Sequence, residues 1–271
     1  MFNLLSGEFY KWRKSKSFKV CCVITILFIL FMHGSFLMAD QVQKGEMENG
    51  TAGVVVESEA QSESILDSIG ILDVEQVIFG SAAGIVTAVF VCIFVIGEYG
   101  NGAIKNIVGK GTSRTGIFLA KYIMAMLAAV VLLLIIGIVT FICGLFVFGM
   151  DSMNTELIKN LCQYVGIQVL LGAAFAGIIV AIGELSRNLG VGISVSLGVY
   201  MLASTLFSGL DLLFHKVDFR PSEYWVANLV TDCPLNDISG DFMSRVVIAV
   251  VFWIVVSVAA GMLHFKKADV K

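Results

Sequence analysis

Three histidines and six cysteines are the residues of this 271-residue chain best suited to metal binding or nucleophilic chemistry, and their placement argues against both. His33, His215 and His264 stand far apart, with no HExxH and no partner at ligand spacing. Each reads as a packed or interfacial histidine, so no metal site is expected. Cys21, Cys22, Cys92, Cys143 and Cys162 lie in or beside apolar runs, and Cys233 alone reads as external, so no structural disulfide is expected. The phosphate-cradling G-x-x-x-x-G-K-[ST] is absent, and neither GNGAIKN nor GKGTS has its spacing. No catalytic residue and no bound cofactor are expected; if ATP drives this protein, another chain hydrolyses it.

What remains is recognition by charge and apolar contact, and it concentrates in GEYGNGAIKNIVGKGTSRTGIFLAK, Gly97 to Lys121. This is the one long polar, positively charged segment between two apolar runs of membrane length. Gly100, Gly102, Gly109 and Gly111 break it into short pieces. Ile104, Ile107 and Val108 fall at spacings of three and four, the pattern of a short amphipathic helix on a membrane surface. Thr112 and Ser113 offer N-cap oxygens for the helix that follows. A second polar turn, GELSRNLG, sets Glu184 three residues from Arg187, a spacing that allows pairing on a helix.

Composition defines what must position these residues. The chain is 58% hydrophobic and 14% charged, with two prolines and a mean hydropathy of +0.90, which excludes a soluble domain of this size. Six apolar runs are long enough to cross a bilayer: Val20 to Ala39, Val74 to Ile96, about Ile117 to Phe148, Leu161 to Ile182, Val191 to Leu210 and Ser244 to Phe265. The third exceeds the ~20 residues a crossing needs and is expected to tilt or project. Residues 1–19 mix Phe2, Leu4, Leu5, Phe9 and Trp12 with five bases and read as an interfacial amphipathic helix. The first run is longer than a signal-peptide core and FLMAD lacks an A-x-A site, so an uncleaved span is expected. Residues 40–73 form an acidic external loop too short for a sizeable domain. Residues 211–243 carry Phe214, Phe219, Tyr224, Trp225 and Leu229 among charges, which suits interfacial or re-entrant helices, although a surface loop fits the sequence alone equally well.

Charge fixes the expected orientation. Thirteen of the 18 Lys and Arg fall in the N-terminal segment, the Gly97 to Lys121 stretch, the short turn and the tail, which makes that side cytoplasmic and puts both termini inside. Seventeen of the 21 acids fall opposite, giving an acidic outer face. Span centres read as almost free of Asp, Glu, Lys and Arg, which argues against small ions as cargo and for an apolar or amphipathic one. Small-residue clusters at Gly80 to Gly84 and Gly172 to Gly177 are candidate helix-packing surfaces, including between copies.

EYGNGAIKN followed by SRTGIFLAK resembles the loop between spans two and three of ABC-2 type transporter permeases, with its E-[FY]-x-x-G-[TS]-[IL]-[KR]-N pattern, later S-R and Lys. Glu98, Tyr99, Gly102, Ile104, Lys105, Asn106, Ser113, Arg114 and Lys121 match it; Ala103 stands where Thr or Ser is usual and Gly111 where Pro is frequent. The resemblance implies an all-α integral membrane protein with six transmembrane helices, an elbow helix ahead of the first and re-entrant helices before the last, residues 1–271 forming one permease domain. It further implies that residues 97–117 are a coupling loop in which Glu98, Tyr99, Gly102, Ile104, Lys105, Asn106, Ile107 and Arg114 dock an ATPase. Glu98 is expected to orient that loop against Lys105 or Arg114, and Glu184 and Arg187 form the second candidate turn. The implied partners are two ABC ATPase subunits that bind the ATP and Mg, a second permease copy and membrane lipid. The nearest functional likeness is to lantibiotic-immunity, bacitracin-resistance and toxin-peptide exporters, so the expected cargo is an amphipathic peptide moved outward across a bacterial plasma membrane. Lipid, drug or sodium transport is the alternative within the family. A self-contained secondary transporter and a non-transporting membrane sensor or assembly protein are the alternatives outside it.

Overall fold

A computed structural model describes residues 2–48, 70–100, 113–149, 155–213 and 220–267, and among them the regular structure is helical throughout. Helix α1 (Phe2–Lys14) leads into α2 (Lys16–Glu48), which carries span 1. Span 2 is α3 (Ile71–Ile78), a π-helical turn (Phe79–Ala83) and α4 (Gly84–Gly100). Spans 3, 4 and 5 are α5 (Arg114–Phe148), α6 (Thr155–Ser186) and α7 (Leu189–Leu213). A 3-10 turn (Pro221–Tyr224) and the short α8 (Val226–Thr231) precede α9 (Gly240–Lys267), which carries span 6.

Six of these helices are long and apolar enough to cross a membrane, in register with the six apolar runs of the sequence. Their ends differ from the expectation where polar residues continue a helix. Residues 40–48 prolong α2 instead of opening the loop, and α3 begins at Ile71, so the polar interval shortens from both sides. The N-terminal interfacial helix is likewise shorter than 1–19: the chain turns at Ser15, whose Oγ accepts the Phe18 amide at 3.2 Å and starts α2 at Lys16. Span 3 has 35 residues, about 52 Å at 1.5 Å per residue against a hydrocarbon core of about 30 Å, so it projects beyond the core.

Spans 2, 3 and 4 form the centre of the bundle, while spans 1, 5 and 6 present broad apolar faces outward. The small residues that the sequence offers for packing are used inside the chain. A methyl group added at Gly177 would lie 2.2 Å from the Tyr122 hydroxyl, and one added at Gly84 would lie 2.3 Å from the Tyr200 ring. Gly84 therefore seats span 5, and Gly172 and Gly177 seat span 3, of the same chain.

The segment before span 6 packs into the bundle as short helices. Pro221 opens the 3-10 turn, and α8 buries Val226, Ala227, Leu229 and Val230. Polar side chains take up its backbone groups: Gln168 Nε2 donates to Val230 O at 2.9 Å, and Trp253 Nε1 donates to Tyr224 O at 2.9 Å. Trp225 stacks on Phe207 and meets Trp253 edge-on at 5.1 Å. Cys233, just beyond α8, is fully buried, and burial pushes its thiol up to about 12. Because the thiolate is the reactive form, a maleimide added at pH 7 is expected to leave Cys233 unmodified until the protein is denatured. Mass spectrometry of labelled peptides checks this; rapid labelling of the folded protein would refute the packing of this segment.

Candidate functional site

The charged residues at the end of the bundle that carries α1 and the C-terminal end of α9 converge on one junction. Lys121 sits seven residues into span 3 and is 2% exposed. An ammonium there needs counter-charges, because burial strips its hydration. It finds Glu98 Oε2 from span 2 at 3.1 Å and Glu184 Oε1 from span 4 at 3.9 Å, and donates to Val95 O at 3.4 Å. Its Nζ also lies 5.0 Å from the centre of the Tyr99 ring.

The other oxygens of the two carboxylates reach further elements. Glu98 Oε1 accepts from Lys11 of α1 at 2.8 Å, and Lys11 also pairs with Glu8 at 2.7 Å. Glu184 Oε2 accepts the Tyr99 hydroxyl. Arg187 ends span 4 with a left-handed φ of 50° and sets its guanidinium 5.4 Å from the Tyr99 ring. A non-glycine residue in that region costs about 1 kcal/mol or more, which the ring contact and the charge of Glu184 offset. Three acids and three bases from α1 and spans 2, 3 and 4 are thus gathered at one place.

Lys11 lies outside the spans and is held above the ordinary lysine range. Half-burial works against its charge, and the hydrogen bonds and charges of Glu8 and Glu98 more than offset that. A raised base contributes stability that is present below its unfolded value near 10.5 and is lost only as pH rises through its folded value, so this link holds at neutral pH. Aromatic rings fix the same helix beneath the bundle: Phe9, Trp12, Phe18, Phe90 and Phe94 follow one another at 5.2 to 6.0 Å, from α1 through span 1 to span 2. Beside the Lys11–Glu98 pair, a cavity of about 270 Å³ opens between α1 and span 2, with Ser15, Ser17, Ile93 and Phe94 in its walls.

Of the residues singled out in the sequence, Glu98, Tyr99, Glu184 and Arg187 come together here, and Arg114 is the first residue of span 3. Gly102, Ile104, Lys105, Asn106 and Ile107 lie outside the described residues. Among the described residues the oxygens of Glu98 go to Lys11 and Lys121, because a half-buried ammonium and a buried one are each within reach. Arg187 lies past the last helical residue, Ser186, so its link with Glu184 is not a pairing of two residues on one helix face. Ser113 takes the N-cap position of span 3 by its backbone, Ile117 N donating to Ser113 O at 3.1 Å, with no side-chain cap bond. Glu8, Lys11 and Lys121 were not among the expected site residues. The signal for Lys121 was present, since a lysine set seven residues into an apolar helix requires an acid from a neighbour.

These features define a polytopic helical membrane protein whose spans 2, 3 and 4 are tied together by buried charge next to the loop joining spans 2 and 3. The model of the ABC-2 family transporter proteins matches residues 4–204, and the chain belongs to that family. It is accordingly a multi-pass membrane protein of the ABC-2 type, a family whose members generally work with a separate ABC ATPase. No curated protein matches the chain.

Proposed function

We propose that the chain is the permease of an ATP-driven exporter, with the ion-paired end of the bundle in the cytoplasm and residues 98–114 receiving the ATPase. The observation that carries this reading is the Lys121 junction with Glu98 and Glu184, which locks spans 2, 3 and 4 beside the 97–117 loop. A force applied to that loop enters spans 2 and 3 at once, and the junction passes it to span 4 and α1 without a long chain of contacts.

A cavity among spans 2, 3, 4 and 5 and α8 measures about 20 Å³, room for one water molecule. This supports a cargo path between two permease copies served by two ATPases. The outward apolar faces of spans 1, 5 and 6 suit contact with lipid and with a second copy, and an amphipathic peptide leaving along them is the cargo we favour. The acidic face opposite the junction would draw a cationic peptide within about 8 Å at physiological salt. That face carries fewer free carboxylates than the sequence count suggests, because Asp40 and Glu75 are buried.

Orientation is tested by cysteine accessibility. In a cysteine-free background, Ser58→Cys is expected to react with an impermeant maleimide added to intact cells. Labelling of Ser58→Cys only from the cytoplasmic side would invert the topology and remove the ATPase from the proposed end.

A further inference from the structure

The opposite third of the bundle holds a buried carboxyl group that takes no part in the Lys121 junction. Glu75, in α3, is 0% exposed, and neither carboxylate oxygen has a hydrogen-bond partner among the described residues. The register of the helices shows what it faces. Span 2 and span 3 run antiparallel; a methyl group added at Gly144 would touch Ile71 at 3.2 Å, and one added at Gly137 would lie 3.6 Å from Phe79. Glu75 stands four residues from both Ile71 and Phe79, and Thr140 stands between Gly137 and Gly144, so the two meet across the same seam. Tyr164 of span 4 joins them, its ring meeting that of Phe79 edge-on at 6.2 Å. Thr140 and Tyr164 are 1% and 0% exposed, and their hydroxyls too lack partners among the described residues. Glu75 stands at the second position of the expected span 2, so the centres of the spans remain almost free of Asp, Glu, Lys and Arg, as the sequence reads.

An ionised carboxylate without a partner is not tolerated in so dry a place, whereas a fixed cation or proton on it removes the penalty. We propose that Glu75, Thr140 and Tyr164 form a site for one small monovalent cation, a proton or Na+, that neutralises the carboxylate. The donors are all oxygens, which suit a hard cation, and the carboxylate alone takes a proton. Occupancy keeps α3 packed on spans 3 and 4; loss of the ion leaves a bare charge at that seam. The π-helical turn begins four residues further on, so the seam lies beside the least regular stretch of span 2.

The purified full-length chain in detergent tests this through its thermal midpoint, read from pH 6 to 9 and, separately, with Na+ exchanged for choline at constant ionic strength. Other titratable groups near the seam are Tyr164, Cys143 of span 3, Cys233 beyond α8 and Asp73 of α3 itself, so each titration is repeated on Glu75→Gln. If the ion is a proton, the wild-type midpoint falls as pH rises, Glu75→Gln removes that fall, and the infrared carbonyl band of a protonated carboxyl disappears in the variant. If it is Na+, the wild-type midpoint rises with Na+ and the variant does not respond. Well above the dissociation constant, each tenfold rise in ion shifts the folding equilibrium about tenfold. Thr140→Val and Tyr164→Phe keep the carboxylate and are expected to weaken whichever response is found, which preserves the test should Glu75→Gln fail to fold. Equal responses of wild type and Glu75→Gln in both titrations, or unchanged responses in Thr140→Val and Tyr164→Phe, overturn the proposal.

Discussion

Lys121→Met is expected to destabilise the chain by about 3–5 kcal/mol, the usual effect of removing one member of a buried ion pair. Methionine fills much the same volume, so the effect is electrostatic. Glu98 keeps Lys11 at 2.8 Å, but Glu184 loses its nearest ammonium and retains the Tyr99 hydroxyl and the charge of Arg187. Denaturation of the purified protein measures the loss. Adding Glu98→Gln to Lys121→Met is expected to recover part of it, because one orphaned charge is then removed. Lys11→Met, at a half-exposed position, is expected to cost less than half as much. If Lys121→Met and Lys11→Met proved equally mild, the junction would be a solvated surface cluster with no capacity to lock three spans.

A second large effect is expected in the loop itself. Exchanging Ile104 and Ile107 for Asp in one chain should weaken ATPase docking about a thousandfold, taking two apolar anchors of about 2 kcal/mol each at 1.4 kcal/mol per tenfold. The chain should still insert, since both residues belong to the polar stretch between the second and third apolar runs of the sequence. Binding of the cognate ABC ATPase to the purified variant reads the affinity, and ATP hydrolysis of the complex reads the coupling. Moving a two-state protein from 1:99 to 99:1 needs about 5.5 kcal/mol of differential binding, a demand that a few buried anchors supplemented by Lys105 and Arg114 can meet. Wild-type docking by the double variant would reduce residues 97–117 to a topological anchor and shift attention to the Glu184 to Arg187 turn.

The spans were legible because each is an apolar run of membrane length bounded by charge, and the loop because a charged, glycine-broken stretch between two such runs stands out. The segment before span 6 was half legible: its aromatics announced contact with an apolar surface, while the choice between helix and loop depended on Gln168 and Trp253, which lie elsewhere in the chain. Lys121 signalled that an acid must stand beside it, but which acids was not legible, because they come from positions 98 and 184 and only packing brings them to one point. Glu75 stands at the second position of the expected span 2, directly after an acidic interval, and counts among the 17 acids of that side; its burial was not legible, because only the packing of α3 turns it into the bundle.

Site-directed photo-cross-linking determines whether an ATPase grips the chain at the loop joining spans 2 and 3. A photoreactive residue placed in turn at Ile104, Ile107, Ser58 and Leu206 of the full chain in native membranes captures whatever lies against each position. An ABC ATPase is expected to be captured from positions 104 and 107, and none from position 58 in the acidic loop or from position 206 on the outward face of span 5. Capture of an ATPase from position 58, or none from 104 and 107 while the complex still hydrolyses ATP, would contradict docking at this loop.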